Sequence, residues 1–146
     1  MCEEHSPGEA LKDAMENKNW AEAVKLSEPW LVACPVDARI HWLRSLVLEE
    51  QWEKEEADKH KKWFVGLIES VMSSGDGKTP ETAYETISVG EEYAVLMALR
   101  LDFKKQRLIT RLRVDEMTVE NEQGEELKVF FSPKPHFRRL EKLFSN

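Results

Sequence analysis

Ser73-Ser74-Gly75-Asp76-Gly77-Lys78-Thr79-Pro80 is the clearest break in this chain, rich in turn formers and almost free of apolar residues. The hydrophobic period differs on its two sides, and that difference decides the fold class. Upstream, apolar residues recur every three or four positions, as on helices. Helices are expected over Glu9 to Glu16, Trp20 to Ala33, Asp37 through Val47, and Glu53 to Met72. Asp37 is an N-cap candidate, and Pro29 should kink the second helix. In the fourth, Trp63, Phe64, Leu67, Ile68 and Val71 form the expected buried stripe.

Downstream, Ser88 followed by Glu91 is a capping box opening a helix that carries Tyr93, Leu96, Met97 and Leu99. Then the period changes to two. In Leu108-Ile109-Thr110-Arg111-Leu112-Arg113-Val114 the alternation puts Leu108, Leu112 and Val114 on one face of a half-buried strand and Arg107, Arg111 and Arg113 on the other. Met117 to Glu120 continues extended, Asn121-Glu122-Gln123-Gly124 reads as a hairpin turn, and Leu127 to Phe131 returns as a second strand. Pro135 to Phe144 completes the pattern as a short helix. The expected class is α+β: helical hairpins in residues 1–73, then a small antiparallel sheet with flanking helices in 74–146, the two packed as one compact unit.

A length of 146 residues suits about one domain, and 41% hydrophobic with 34% charged residues places the chain among foldable globular proteins. The charge is uneven. Residues 1–73 carry nine Lys and Arg against fifteen Asp and Glu, net −6, whereas residues 74–146 carry twelve against thirteen, net −1. A net charge of −7 argues against broad nucleic-acid or anionic-membrane binding, which draws on Lys and Arg neutralising phosphates. The longest apolar runs, about four residues, are far short of the ~20 a spanning helix needs. No secretory signal is evident, so the expected location is cytoplasmic; the alternative makes Cys2 the lipid-bearing residue of a processed lipoprotein. Cys2 and Cys34 make no CxxC pair and are expected to be free thiols, Cys34 buried at a helix end.

All five tryptophans, Trp20, Trp30, Trp42, Trp52 and Trp63, precede residue 64. Trp20, Trp30 and Trp63 fit a buried helical pattern. Trp42 and Trp52 fit it less well, and Trp52, in a charged stretch, is a candidate exposed anchor for a partner. An internal offset of 34 residues pairs Ala23 with Ala57, Trp30 with Phe64 and Leu31 with Val65, which is the tetratricopeptide period. With Asn19-Trp20-Ala21-Glu22-Ala23-Val24, Pro35 and Asp37-Ala38, the helices resemble a degenerate pair of tetratricopeptide hairpins. A plain helical bundle with coincident alanines is the other reading.

No pattern completes a catalytic constellation. Gly77-Lys78-Thr79 matches the end of a phosphate-binding loop, but Met72 stands where its first glycine belongs and a helical pattern precedes it. Lys78 and the loop amides retain the option of holding an anion or a partner carboxylate. The four histidines are scattered, and His41 with Asp37 on one helical face makes two ligands at most, so no metal site is expected and His41 and His60 read as surface or interhelix residues. The adjacent Glu91 and Glu92 point in different directions on a helix, which disfavours a paired-carboxylate site. The cations Arg100, Lys104, Lys105, Arg107, Arg111 and Arg113 leave three readings open: a grip for an acidic partner, a face for the acidic half, or a solvated strand.

The segments Gly66-Leu67-Ile68-Glu69-Ser70, Ser74-Gly75-Asp76-Gly77-Lys78-Thr79-Pro80-Glu81-Thr82-Ala83-Tyr84, Ile87-Ser88-Val89 and Glu91-Glu92-Tyr93 resemble a bacterial family of domains of unknown function. The resemblance covers about residues 20–144 and implies tetratricopeptide-like helices joined to this motif, then a small β-rich segment and helix. It implies no activity, cofactor or catalytic residue. Leu101-Asp102 departs from it, since a glycine after the preceding helix is more usual.

The function expected is a noncatalytic protein-interaction module with an unidentified protein partner, an adaptor or immunity-type protein. The alternative is a small enzyme or ligand-binding domain with a site at the seam, built from Asp76, Lys78, Tyr84, Glu92 and Tyr93. The two differ in geometry, because the alternative needs those five groups to converge on a deep pocket.

Overall fold

A computed structural model describes residues 8–133. Along the chain run α1 (Gly8–Glu16), α2 (Trp20–Ala33), α3 (Ala38–Glu50), α4 (Lys54–Met72), β1 (Tyr84–Glu85), α5 (Val89–Ala98), β2 (Asp102–Ile109), β3 (Val114–Glu120) and β4 (Glu126–Ser132). The class is α+β, with helices preceding the sheet. The expected terminal helix, Pro135 to Phe144, lies outside the described residues, as does Cys2. Two compact units divide between Leu67 and Ile68, inside α4 and ahead of the turn-rich break. Among the described residues no helix is long and apolar enough to cross a membrane.

In the first unit, local chemistry sets the helix ends. The Asn19 side chain accepts from the Glu22 N–H at the start of α2, and the Asp37 side chain accepts from the Arg39 N–H at the start of α3. Pro29 does not end α2, which runs on to Ala33. Pro29 and Lys25, whose carbonyl lacks its helical donor, are both exposed, so water can satisfy that carbonyl. Leu11, Ala14, Ala23, Trp30, Cys34, Ile40 and Val47 form the core. Trp30 is buried, and its indole N–H donates to Asp37 at 3.2 Å, so its one polar atom stays satisfied. Asp37 also receives a two-pronged contact from Arg39, at 2.7 and 3.1 Å.

Two expectations for this unit, on Trp63 and on Cys34, are corrected. Trp63 is 56% exposed rather than core, because the buried stripe of α4 runs through Ala57, Phe64, Ile68 and Val71. Trp42, which fits the buried pattern less well, is half-buried, with its ring 5.3 Å from that of Phe64. Cys34 is disulfide-bonded, not a free thiol; pairing is set by the fold's three-dimensional proximity, which cysteine spacing does not reveal.

The second unit holds a four-stranded sheet in the order β1-β4-β3-β2. β2, β3 and β4 are antiparallel, but β1 pairs parallel to β4 through Tyr84 with Phe131 and Glu85 with Ser132, so the sheet is mixed rather than purely antiparallel. The Asn121–Gly124 turn forms as read: the Asn121 side chain accepts from the Gln123 and Glu125 N–H groups, and Gly124 has φ 79°. The alternating strand through Leu108–Val114 does not form. β2 ends at Ile109, Thr110 to Arg113 make a tight turn, and Arg113 takes the left-handed conformation with φ 52°. Ser88 caps α5 as expected, but the Glu91 carboxylate reaches one residue further back, accepting from the Ile87 N–H at 2.8 Å.

Candidate functional site

Helix α3 ends in a Schellman motif: the Trp52 N–H donates to the Glu49 carbonyl and the Glu53 N–H to the Leu48 carbonyl. The geometry forces residue 52 into the left-handed region, φ 64°, a position that favours glycine. Lys18 and Arg100 close α1 and α5 in the same way, each with a side chain that water solvates. The Arg100 cap also fixes the α5 end at the point where the sequence departs from its resembling family. Trp52 alone puts a large apolar group in such a cap, and it is 93% exposed, the most exposed large hydrophobic among the described residues. Five glutamates, Glu49, Glu50, Glu53, Glu55 and Glu56, flank it in sequence.

The five seam candidates do not converge. Asp76 lies inside its own loop, its carboxylate accepting from the Thr82 hydroxyl at 2.6 Å and the Lys78 N–H at 2.9 Å. Those bonds hold its carboxyl below the usual aspartate range. The Asp76 and Gly77 N–H groups both donate to the Thr82 carbonyl, and the Gly77 carbonyl accepts from Phe130. The amides that would cradle an anion are thus engaged within the fold, and the preceding element is a helix, so the phosphate-loop arrangement is absent. Tyr84 is buried with its ring 5.8 Å from that of Phe131; burial and the nearby Asp76 raise its hydroxyl pKa. The motif Ser74–Tyr84 therefore acts as a fastening for the sheet edge. Tyr93 lies elsewhere, its ring edge-on to Phe103 at 5.3 Å and 38% exposed.

Glu92 is fully buried. Its Oε1 accepts from the Thr86 hydroxyl at 3.2 Å, while Oε2 has no partner. Burial, reinforced by Asp115 and Glu91, pushes its pKa up to about 8, so the carboxyl is neutral at pH 7.

The basic strand face is broken up. Arg107 extends from β2 to Glu116 on β3 at 3.0 Å, Lys128 on β4 reaches the same carboxylate at 3.2 Å, and Lys104 pairs with Glu120. Arg111 and Arg113 sit in the β2–β3 turn.

One polar network escaped the sequence reading because its members lie far apart in the chain. His41 on α3 and His60 on α4 approach with Nδ1 atoms 2.8 Å apart. Arg44 donates through Nε to His60 Nε2 at 3.2 Å, and through one Nη to the Ser27 hydroxyl and the Val24 carbonyl of α2. The same Nη lies 2.9 Å from Glu28. His41 stacks on Trp63 at 5.5 Å, and a shallow groove beside Trp63 is lined by Lys59, Lys62, Gly66 and Leu67 on α4.

A family model described as "Domain of unknown function (DUF4919)" matches residues 3–141. Comparison with curated proteins and with solved structures gives no match.

Proposed function

Because the chain belongs to this family of domains of unknown function, we propose from its own surfaces that it is a noncatalytic protein-interaction module, of adaptor or immunity type, with Trp52 as its anchor. The observation that carries the reading is the exposure of Trp52 at a helix cap where folding alone favours glycine. Rigid, exposed tryptophans are the side chains that most often dominate binding energy once a partner covers them. Glu49 pairs with Lys61, and Glu55 and Glu56 with Lys59, so it is Glu50 and Glu53 beside Trp52 that favour a partner segment bearing Lys or Arg, which could stack on the indole.

The first four helices support a tetratricopeptide-like arrangement behind this anchor. α2 and α4 start 34 residues apart, at Trp20 and Lys54, and the paired Ala23 and Ala57 are both fully buried, as are Trp30 and Phe64 nearly so. Leu31 and Val65 do not match, Val65 being 49% exposed. The Cys34 disulfide favours an oxidising compartment over the cytoplasm, where thiols are kept reduced.

The test compares the full-length chain with Trp52→Gly as immobilised baits at physiological salt. A partner retained by the first and lost from the second supports the reading, and it should carry basic residues and elute with added salt. Equal retention by both baits, or no partner on either, sinks it.

A further inference from the structure

We infer that Glu92 is a proton-held latch for α5, so that loss of its proton releases the helix from the sheet. Glu92 is the fourth residue of α5, in the turn that Ser88 caps and Glu91 ties back to Ile87. Its side chain points into the unit's interior and is 0% exposed. The groups that act on it are one hydroxyl and two like charges, and β2, which packs on α5, adds no counter-charge among them. Thr86, just after β1, donates the single hydrogen bond; Asp115 from β3 and Glu91 from α5 itself are the charges acting on it, both acidic. Ser132 at the end of β4, whose carbonyl accepts from the Thr86 N–H, has a buried hydroxyl that also lacks a partner.

A neutral carboxyl tolerates this setting, whereas a carboxylate does not, because an ion taken from water needs a counter-charge or several donors. One weak donor and two neighbouring acids supply neither. The helix N-terminus favours a negative charge, but its pull is small beside the cost of burying a carboxylate fully next to two acids. The deprotonated side chain therefore gains most by reaching water. Since Glu92 shares its turn with the buried Gly90 and precedes the buried Ala94, Val95 and Leu96, it reaches water only if α5 lifts. Release would uncover those residues.

Linkage fixes the expected dependence. In the open helix the carboxyl titrates near 4.5, and in the closed one near 8. Opening is therefore favoured by up to tenfold per pH unit between those values and levels off above the upper one. Hydrogen exchange of the full chain, corrected for intrinsic rates, reads this directly at the Ala94–Ala98 amides from pH 5 to 9. In the unaltered protein their protection should fall with pH and flatten near pH 8; in Glu92→Gln it should stay level. Asp115→Asn, a milder change that serves if the glutamine variant fails to fold, should end the fall at a lower pH. A level profile in the unaltered protein, or the same fall in Glu92→Gln, overturns the latch. So does an equal fall at β3 and β4, which would mark global unfolding instead of release of α5.

Discussion

The Nδ1 atoms of His41 and His60 lie 2.8 Å apart, and the neighbouring bonds decide which one carries the hydrogen. His41 Nε2 faces the Pro35 carbonyl at 2.8 Å and must donate to it, which leaves His41 Nδ1 as an acceptor. His60 Nε2 accepts from Arg44, so His60 Nδ1 carries the proton shared with His41. Both rings are then neutral, and a proton added to His60 would have to enter on the nitrogen that faces the guanidinium.

Acid should therefore loosen the first unit. Burial, then Arg44 and His41, depress the His60 pKa to about 4 from 6.5. An unfolded chain binds this proton first, so stability is full above pH 6.5 and is lost as pH falls toward 4. After allowance for partial solvent exposure, the loss is about 2 kcal/mol. Denaturant titrations between pH 4 and 7 should show it, and His60→Gln should flatten the slope over that interval. An unchanged slope in the variant would assign the acid sensitivity to other groups.

Gly77→Ala should destabilise the second unit by about 2 kcal/mol or more, since it adds left-handed strain to overpacking. At φ 66° a Cβ on residue 77 would run into the ring of the buried Tyr84. Gly75→Ala should be comparably harmful, because its Cβ would meet the Thr82 and Ala83 carbonyls, which are backbone and cannot swing away. Thermal melts of both variants, with Gly124→Ala as a control that has a left-handed φ of 79° but open space, separate crowding from strain.

These cases show what the sequence could carry. The Asn121–Gly124 turn and the Asp37 and Ser88 caps were legible because their residue types have a local hydrogen-bonding reason to be there. The caps at Lys18, Trp52 and Arg100, and the turn through Arg113, were not, because each puts an ordinary residue at positive φ. That is how an apparent alternating strand of arginines became the end of one strand and a turn. Glu92 stood out as a candidate, yet as an accessible ligand; periodicity records polarity and is blind to a buried acid. His41 and His60 met only through the packing of α3 on α4.

Glu116→Gln should cost about 1 kcal/mol, and less at high salt. Burial raises the Glu116 carboxyl pKa, but hydrogen bonds and charge from Lys128 and Arg107 outweigh it and hold it below the usual range. A neutral amide leaves both cations without their shared counter-charge on the central strand. Arg107→Ala should cost less, since its side chain is 67% exposed. Chemical denaturation at low and high ionic strength checks both the ranking and the salt dependence.

Trp52→Gly separates folding from binding most sharply. At φ 64° glycine relieves a conformational cost of about 1 kcal/mol, partly offset by its greater freedom in the unfolded chain. Little packing is lost with an indole that is 93% exposed, so stability should hold or rise slightly. Partner affinity should fall by about 30-fold or more, the range of a tryptophan hot spot. Calorimetric titration of a captured partner, set beside melting of the free variant, tests both halves. Lost stability with affinity unchanged would recast Trp52 as part of the fold, because the side chain would then be holding α3 to α4 rather than waiting for another protein.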